Sequence, residues 1–272
     1  SVSYIGRGVH GREHERLTRA VAALGLALVL PAGAAEIEAE SGDTIAPVVE
    51  LYTSEGCNSC PPADAWISRL GETLGKGLDA VPLAFHVDYW NYLGWEDPFS
   101  QPGFTDRQRM LGALNRQRSI YTPEFLVSGR ETRGTRAVVK AIQSANASDA
   151  AVKVRLVAAL AGTGDIAADV RVSGDTGDSE LYLAVYENDI TRRIGGGENH
   201  GRTLHYDFVV RYFRRVALLD REGHMHTHTI PVEAGWNTAN LGLAVLVMDR
   251  RSSGTRQALS TPLDRLFADG SG

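Results

Sequence analysis

Val48-Val49-Glu50-Leu51-Tyr52-Thr53-Ser54-Glu55-Gly56-Cys57-Asn58-Ser59-Cys60-Pro61-Pro62 is the stretch from which the rest of the chain is read. Its apolar run predicts a buried strand over 48–53, followed by a short loop, a C-x-x-C pair and the first turn of a helix. The two prolines set that turn, because proline is tolerated where its missing N–H would lack a partner anyway. A helix is therefore expected over 59–75, with Cys57 just ahead of it. Ala63, Trp66, Ile67, Leu70 and Leu74 supply its buried face at helical spacing. Cys57 then lies near unpaired backbone N–H groups that favour a thiolate, an effect that Glu55 opposes.

Cys57 and Cys60 are the only cysteines in the chain. They admit three chemistries: a redox dithiol, half of a metal site, or a small structural disulfide. A bridge across so short a loop removes only about 2 kcal/mol of unfolded-state entropy. A tetrahedral zinc site needs two further ligands, and there is no second C-x-x-C to supply them. The redox dithiol is the preferred reading.

Residues 1–35 read as a secretory signal peptide with an N-terminal extension. Arg16 and Arg19 precede an apolar run over 20–30, Pro31 breaks it, and Ala32-Gly33-Ala34 resembles a small-residue cleavage site. The run is shorter than the ~20 residues of a membrane span, and a retained N-terminal anchor is the alternative. A periplasmic or secreted location is expected, where disulfides persist, with no stable membrane insertion after cleavage. A formal net charge of -5 without basic tracts argues against nucleic acid as a partner.

From 36 to 147, a polar lead-in over 36–44 precedes alternating patterns. Strands are expected at 48–53, 81–87, 125–127 and 131–135. A helix opening on Thr105-x-x-Gln108 as a capping box should run to about Gln117, and another should cover 135–146. The order β-α-β-α-β-β-α around a C-x-x-C predicts an α/β thioredoxin-like domain. Thr122-Pro123, just before a strand, is expected to be cis and to lie beside the dithiol, where it would align an extended substrate. Over 148–272, strands expected at 151–160, 166–173, 180–187, 204–212, 214–219, 225–232, 241–249 and 256–260, separated by Gly- and Asp-rich turns, predict an all-β antiparallel sandwich-like domain.

The run 51–64, with Cys57-x-Ser59-Cys60-Pro61-Pro62-Ala63-Asp64, resembles a bacterial family of secreted thioredoxin-like proteins of uncharacterised function (domain of unknown function 1223). So do Ala84-Phe85-His86-Val87-Asp88-Tyr89-Trp90-Asn91-Tyr92-Leu93-Gly94-Trp95-x-Asp97-Pro98-Phe99, Arg107-Gln108, Tyr121-Thr122-Pro123 and the stretch from Glu198-Asn199 to Leu204. The resemblance implies an exported thioredoxin-like domain with a β-rich companion. It implies no substrate.

His86 and Asp88 end the second strand and share a face if it extends that far. Either is a candidate proton acceptor for the second thiol, Asp88 first. The bland alternative makes His86 a bonded core histidine and Asp88 a loop brace. Trp90 and Trp95 belong to an aromatic loop expected to receive apolar substrate side chains. His224, His226 and His228 alternate on a strand around Met225, a donor set suited to copper but commonly just solvent-facing. Gly195-Gly196-Gly197-Glu198-Asn199-His200-Gly201-Arg202 lacks the strand-to-helix setting of a phosphate loop and reads as a bracing loop.

The sum is an exported thiol–disulfide oxidoreductase without an organic cofactor. Cys57 is expected as the more exposed nucleophile and Cys60 as the sheltered resolving thiol, with Pro123, Thr122 and Asp88 assisting. Its partners would be exported protein thiols or disulfides and an electron partner. Two alternatives stand beside it: a copper-binding or delivery protein using Cys57, Cys60 and His86, and a non-enzymatic scaffold with a structural disulfide.

Overall fold

The computed structural model describes residues 35–162, 164–220 and 223–268. The signal segment expected over 1–35 lies, apart from Ala35, outside them. Among the described residues no helix is long and apolar enough to cross a membrane.

In chain order the elements are β1 (Glu36–Glu40), β2 (Val48–Thr53), α1 (Pro61–Ile67), α2 (Leu70–Leu74), β3 (Val81–His86), α3 (Pro102–Leu114), β4 (Glu124–Val127), β5 (Arg130–Glu131) and α4 (Thr135–Asn146). There follow β6 (Val152–Leu160), β7 (Ile166–Gly174), β8 (Ser179–Glu187), β9 (Ile190–Arg193), β10 (Thr203–Tyr206), β11 (Val209–Leu219), β12 (His224–Ile230), β13 (Leu241–Asp249), β14 (Thr255–Pro262) and α5 (Asp264–Phe267).

This β-rich arrangement overturns the expected α/β thioredoxin-like domain followed by a separate all-β sandwich. The strands form three sheets, and the largest has the order β14-β13-β8-β11-β3-β2-β4-β5. The join is β11, which pairs antiparallel along β8 and meets β3 in parallel at Val209 and Ala84. Strands from both ends of the chain thus share one continuous sheet. A four-stranded sheet, β1-β6-β7-β12, and the β9–β10 pair complete the architecture.

Strand periodicity explains the layers. Leu181, Leu183 and Val185 of β8, with Leu243, Val245 and Val247 of β13, face Val154, Leu156, Ile166 and Val170 of the four-stranded sheet. The alternate residues, Ala184, Tyr186, Ala244 and Leu246, face the other way. There they join Tyr52, Leu83 and Phe85, together with Phe104 and Leu111 of α3. On the opposite face of β2 and β4, Val49, Leu51, Phe125 and Val127 pack on Ala63, Ile67, Val138 and Ile142 of α1 and α4. Burial on both faces accounts for the unbroken apolar runs in these strands.

Several local expectations need correction. The polar lead-in is partly a strand: β1 pairs with β6 at the edge of the smaller sheet, where one face stays wet. The helix expected over 59–75 is two helices, interrupted at Ser68 and Arg69. The helix expected to start at Thr105 starts at Pro102 instead, so Thr105 is buried within it and caps nothing. β3 ends at His86, leaving Asp88 in the following loop. The strand expected over 204–212 is broken into β10 and β11, and β11 then runs unbroken through 213 over the strand expected at 214–219, with register shifts at Val210/Tyr212 and Arg215/Ala217.

Gly242 of β13 pairs across from Tyr186 of β8, and a Cβ there would lie 2.2 Å from the tyrosine ring. Glycine is needed for this close approach. Gly242→Ala is expected to cost about 1–3 kcal/mol in urea unfolding by displacing that ring. An unchanged midpoint would contradict the packing.

Candidate functional site

Cys57 and Cys60 form a disulfide with their Cα atoms 5.5 Å apart. Cys60 occupies the N-cap of α1, and Pro61 and Pro62 fill the first two helical positions. β2 delivers the pair: its last residue, Thr53, leads through Ser54, Glu55 and Gly56 into the loop. The expectation that Cys57 is the more exposed sulfur is not met, since both cysteines are 0% exposed.

The loop over 195–202 packs on the backbone of the cysteine loop. Asn199, itself fully buried, donates through Nδ2 to the carbonyls of Glu55 (2.9 Å) and Cys57 (2.8 Å). The Glu198 N–H donates to the Gly56 carbonyl at 3.3 Å, and the Asn58 N–H donates to Glu198 Oε2 at 3.1 Å. Three glycines permit the approach. A Cβ on Gly195 would enter the Trp95 ring at 2.6 Å, and one on Gly196 would lie 2.8 Å from the Gly94 carbonyl. Gly197 sits at φ +65° against Gly56. The bracing role expected of this loop is what its hydrogen bonds show.

Beneath the disulfide loop lies a cluster of buried ionisable groups. His86 Nδ1 is 2.7 Å from Asp97 Oδ2. The same carboxylate accepts the Glu55 N–H at 2.8 Å and, through Oδ1, the Phe99 N–H at 2.9 Å. Burial opposes charge on both partners, but their mutual attraction outweighs it, so His86 is pushed up and Asp97 down. Glu55, also buried, accepts Trp95 Nε1 at 2.7 Å and faces Arg192 Nε at 3.3 Å. Burial, reinforced by Asp97, raises its pKa.

Asp64 is the outlier. It lies four residues after Cys60 in α1 and is 4% exposed. Burial pushes its carboxyl up to about 7, only partly offset by His86 and the Thr53 hydroxyl. Its Oδ1 has no hydrogen-bond partner, nor do His86 Nε2 or the Tyr206 hydroxyl, whose rings are 5.2 Å apart. A carboxyl buried this way and titrating near neutrality can hold or release a proton where a surface aspartate cannot. A groove of about 620 Å³ between α1 and β10 passes over Asp64 and Tyr206, with Arg69, Arg202 and His205 at its edge.

The residues expected at the site divide between several places. The Thr122–Pro123 bond is cis. Trp90 Nε1 donates to Thr122 Oγ1 at 2.7 Å, and Trp90 Cβ would be 3.2 Å from a Cβ on Gly56, so these two reach the cysteine loop. Trp95 joins it through Glu55. Asp88 is instead engaged by α3: its Oδ1 accepts Thr105 Oγ1 at 2.5 Å, and its N–H donates to the same hydroxyl at 3.3 Å. His86 is bonded at Nδ1 to Asp97. His224, His226 and His228 do share a face of the edge strand β12. There, however, His224 Nε2 pairs with Asp220 at 2.9 Å, and His228 Nε2 with the Tyr212 hydroxyl at 2.7 Å. Among the described residues, no three His, Cys, Asp or Glu side chains are grouped to hold a metal ion.

Asp64, Asp97 and Asn199 were not singled out from sequence. Asp64 carried a signal, since a position one helical turn after Cys60 on an otherwise apolar face is where a charge is unexpected. Asn199 carried none, because its partners are 142 and 144 residues away.

No curated protein matches the chain. A solved structure from Agrobacterium tumefaciens is similar, with 23% identity and a TM-score of 0.64, over 82% of this chain and 96% of that one. HBP35 of Porphyromonas gingivalis is similar with 15% identity and a TM-score of 0.60, over 82% of this chain and 77% of its own. At these identities the likeness concerns the fold. The model of a protein family of unknown function, DUF1223, matches residues 48–248, and the chain belongs to that family.

Proposed function

We propose that the protein performs thiol–disulfide exchange through Cys57 and Cys60 with exported protein thiols and disulfides. The observation that carries this reading is a buried carboxyl with an unpartnered Oδ1, Asp64, pushed up to about 7 by its burial and placed one helical turn beyond a disulfide made from the chain's only cysteines. A bridge closing this loop contributes only about 2 kcal/mol as a brace, while a buried carboxylate beside it detracts from stability. A purely structural role explains neither feature.

In the oxidising direction a client thiolate attacks Cys57 Sγ. The client–Cys57 bond forms as the Cys57–Cys60 bond breaks, and the electron pair leaves on Cys60 Sγ, which takes a proton. A second client thiolate then attacks the client sulfur of the mixed disulfide and expels Cys57 as a thiolate. Two electrons have passed to the pair, and the client leaves as a disulfide. The reverse sequence reduces a client, and an electron partner restores the starting state. Asp64 is assigned the proton exchanged at Cys60. Thr122, Pro123, Trp90 and Trp95 are assigned to client positioning.

Equilibrating the protein with glutathione buffers tests this reading. A potential between about -120 and -270 mV is expected, and one far below about -300 mV would instead indicate a resistant structural bridge. Cys60→Ser is expected to retain clients as mixed disulfides on Cys57, and Cys57→Ser to retain none.

A further inference from the structure

We infer that the loop over 195–202 is an autoinhibitory latch: with Asn199 seated it seals the Cys57–Cys60 disulfide, and it must lift before any thiol can attack. This deepens the exchange reading and rests on it for its purpose, although the latch itself is a matter of chemical access. Thiol exchange needs an attacking sulfur to reach one of the two bonded sulfurs along the S–S axis. Neither cysteine has exposed surface.

The contacts are concentrated on the backbone that an incoming chain would need. Asn199 Nδ2 occupies the carbonyls on either side of Gly56, those of Glu55 and Cys57. Glu198 takes the Gly56 carbonyl with its N–H and the Asn58 N–H with its carboxylate. Four groups flanking the nucleophile are thus held by two residues some 140 positions later in the chain.

The latch is also built to move as a unit. Its base is pinned where Ile194 N–H donates to the Arg202 carbonyl at 2.8 Å and Gly201 N–H to the Ile194 carbonyl at 2.8 Å. Arg202 Nη1 steadies Asn199 by donating to its Oδ1 at 2.8 Å. Between these points lie Gly195, Gly196 and Gly197, which contribute contact but few side-chain anchors. Lifting the loop breaks a handful of hydrogen bonds and leaves the sheets intact, the pattern of a local opening.

The experiment is the rate at which dithiothreitol reduces the disulfide in the full chain, followed by quenched alkylation and mass analysis. Asn199→Ala is expected to speed reduction by about tenfold or more, the loss of the two hydrogen bonds it donates to the cysteine loop. Gly197→Ala, whose Cβ would lie 3.2 Å from Gly56 Cα at a positive φ that alanine adopts only with strain, is expected to do the same by propping the loop open. Val154→Ala, in the four-stranded sheet away from the latch, is the control for general loosening. Equal acceleration by Val154→Ala at matched melting temperature would overturn the latch, as would unchanged rates in both loop variants. Neither outcome depends on a client. A redox potential far below the working range would remove the exchange reading while leaving the access measurement as it stands.

Discussion

Arg107→Ala is expected to lower the free energy of unfolding by about 3–5 kcal/mol, a large share of the whole stability of a domain this size. Arg107 projects from α3 onto Glu50 in the centre of β2, with Nε and Nη2 each 2.8 Å from a carboxylate oxygen. Glu50 also accepts the Tyr52 hydroxyl at 2.7 Å. The guanidinium lies 4.7 Å from the Phe213 ring centroid of β11 and 5.6 Å from that of Tyr182 in β8. One side chain thus touches a helix, the parallel pair and both strands across the join of the large sheet. Removing it leaves the Glu50 carboxyl fully buried and short of its main partner. Urea titration of Arg107→Ala beside the double variant Arg107→Met, Glu50→Leu separates two costs. The single variant should be far less stable, whereas the double should recover most of the loss, because matched apolar groups can replace a buried pair. A loss below about 1 kcal/mol in the single variant would show that the pair is not holding the join.

The second large effect has the opposite sign. Asp64→Asn is expected to stabilise the protein above pH 7, by up to about 4 kcal/mol. In the folded chain the carboxyl holds its proton to about pH 7, against 3.8 for an ordinary aspartate. Between those values the folded state binds more protons than the unfolded one, so stability falls as pH rises through that window. Below it the term vanishes, and above it the full cost of a buried anion is present. Asparagine removes the ionisation and keeps the shape. Unfolding curves at pH 5 and pH 8 give the comparison: pH 5 lies within the window, so wild type and variant should differ there by roughly a third of the full effect, about 1–2 kcal/mol, and by nearly all of it at pH 8. Equal stability at pH 8 would mean that Asp64 is not ionising inside the protein, and its assignment to the Cys60 proton would fall with it. A residue whose replacement stabilises the fold is one that folding alone does not require.

The sequence by itself determined the local parts. Apolar runs with strand periodicity placed β2, β3, β6, β7, β8 and β13, because a side chain's direction along a strand depends only on its own neighbours. Pro61 and Pro62 located the start of α1 by a rule of backbone chemistry. The spacing of two lone cysteines kept a bridge between them among the readings, beside a metal site, since a separation of three residues leaves them within reach of one another. The pattern misled where it was weak or interrupted, as in the polar β1 and at the capping box that fell inside α3.

The tertiary structure alone decided how the parts were joined. A strand's N–H and C=O groups are alike whatever partner they meet, so no local pattern in β11 announced that it would lie beside β3 and merge two expected domains into one sheet. The same limit hid the site. Asp64 became unusual only when β10 and its Tyr206 closed over α1, since burial and not identity raises its pKa. The Cys57 carbonyl is held by Asn199, 142 residues later in the chain, and a hydrogen bond across that distance leaves no trace in spacing.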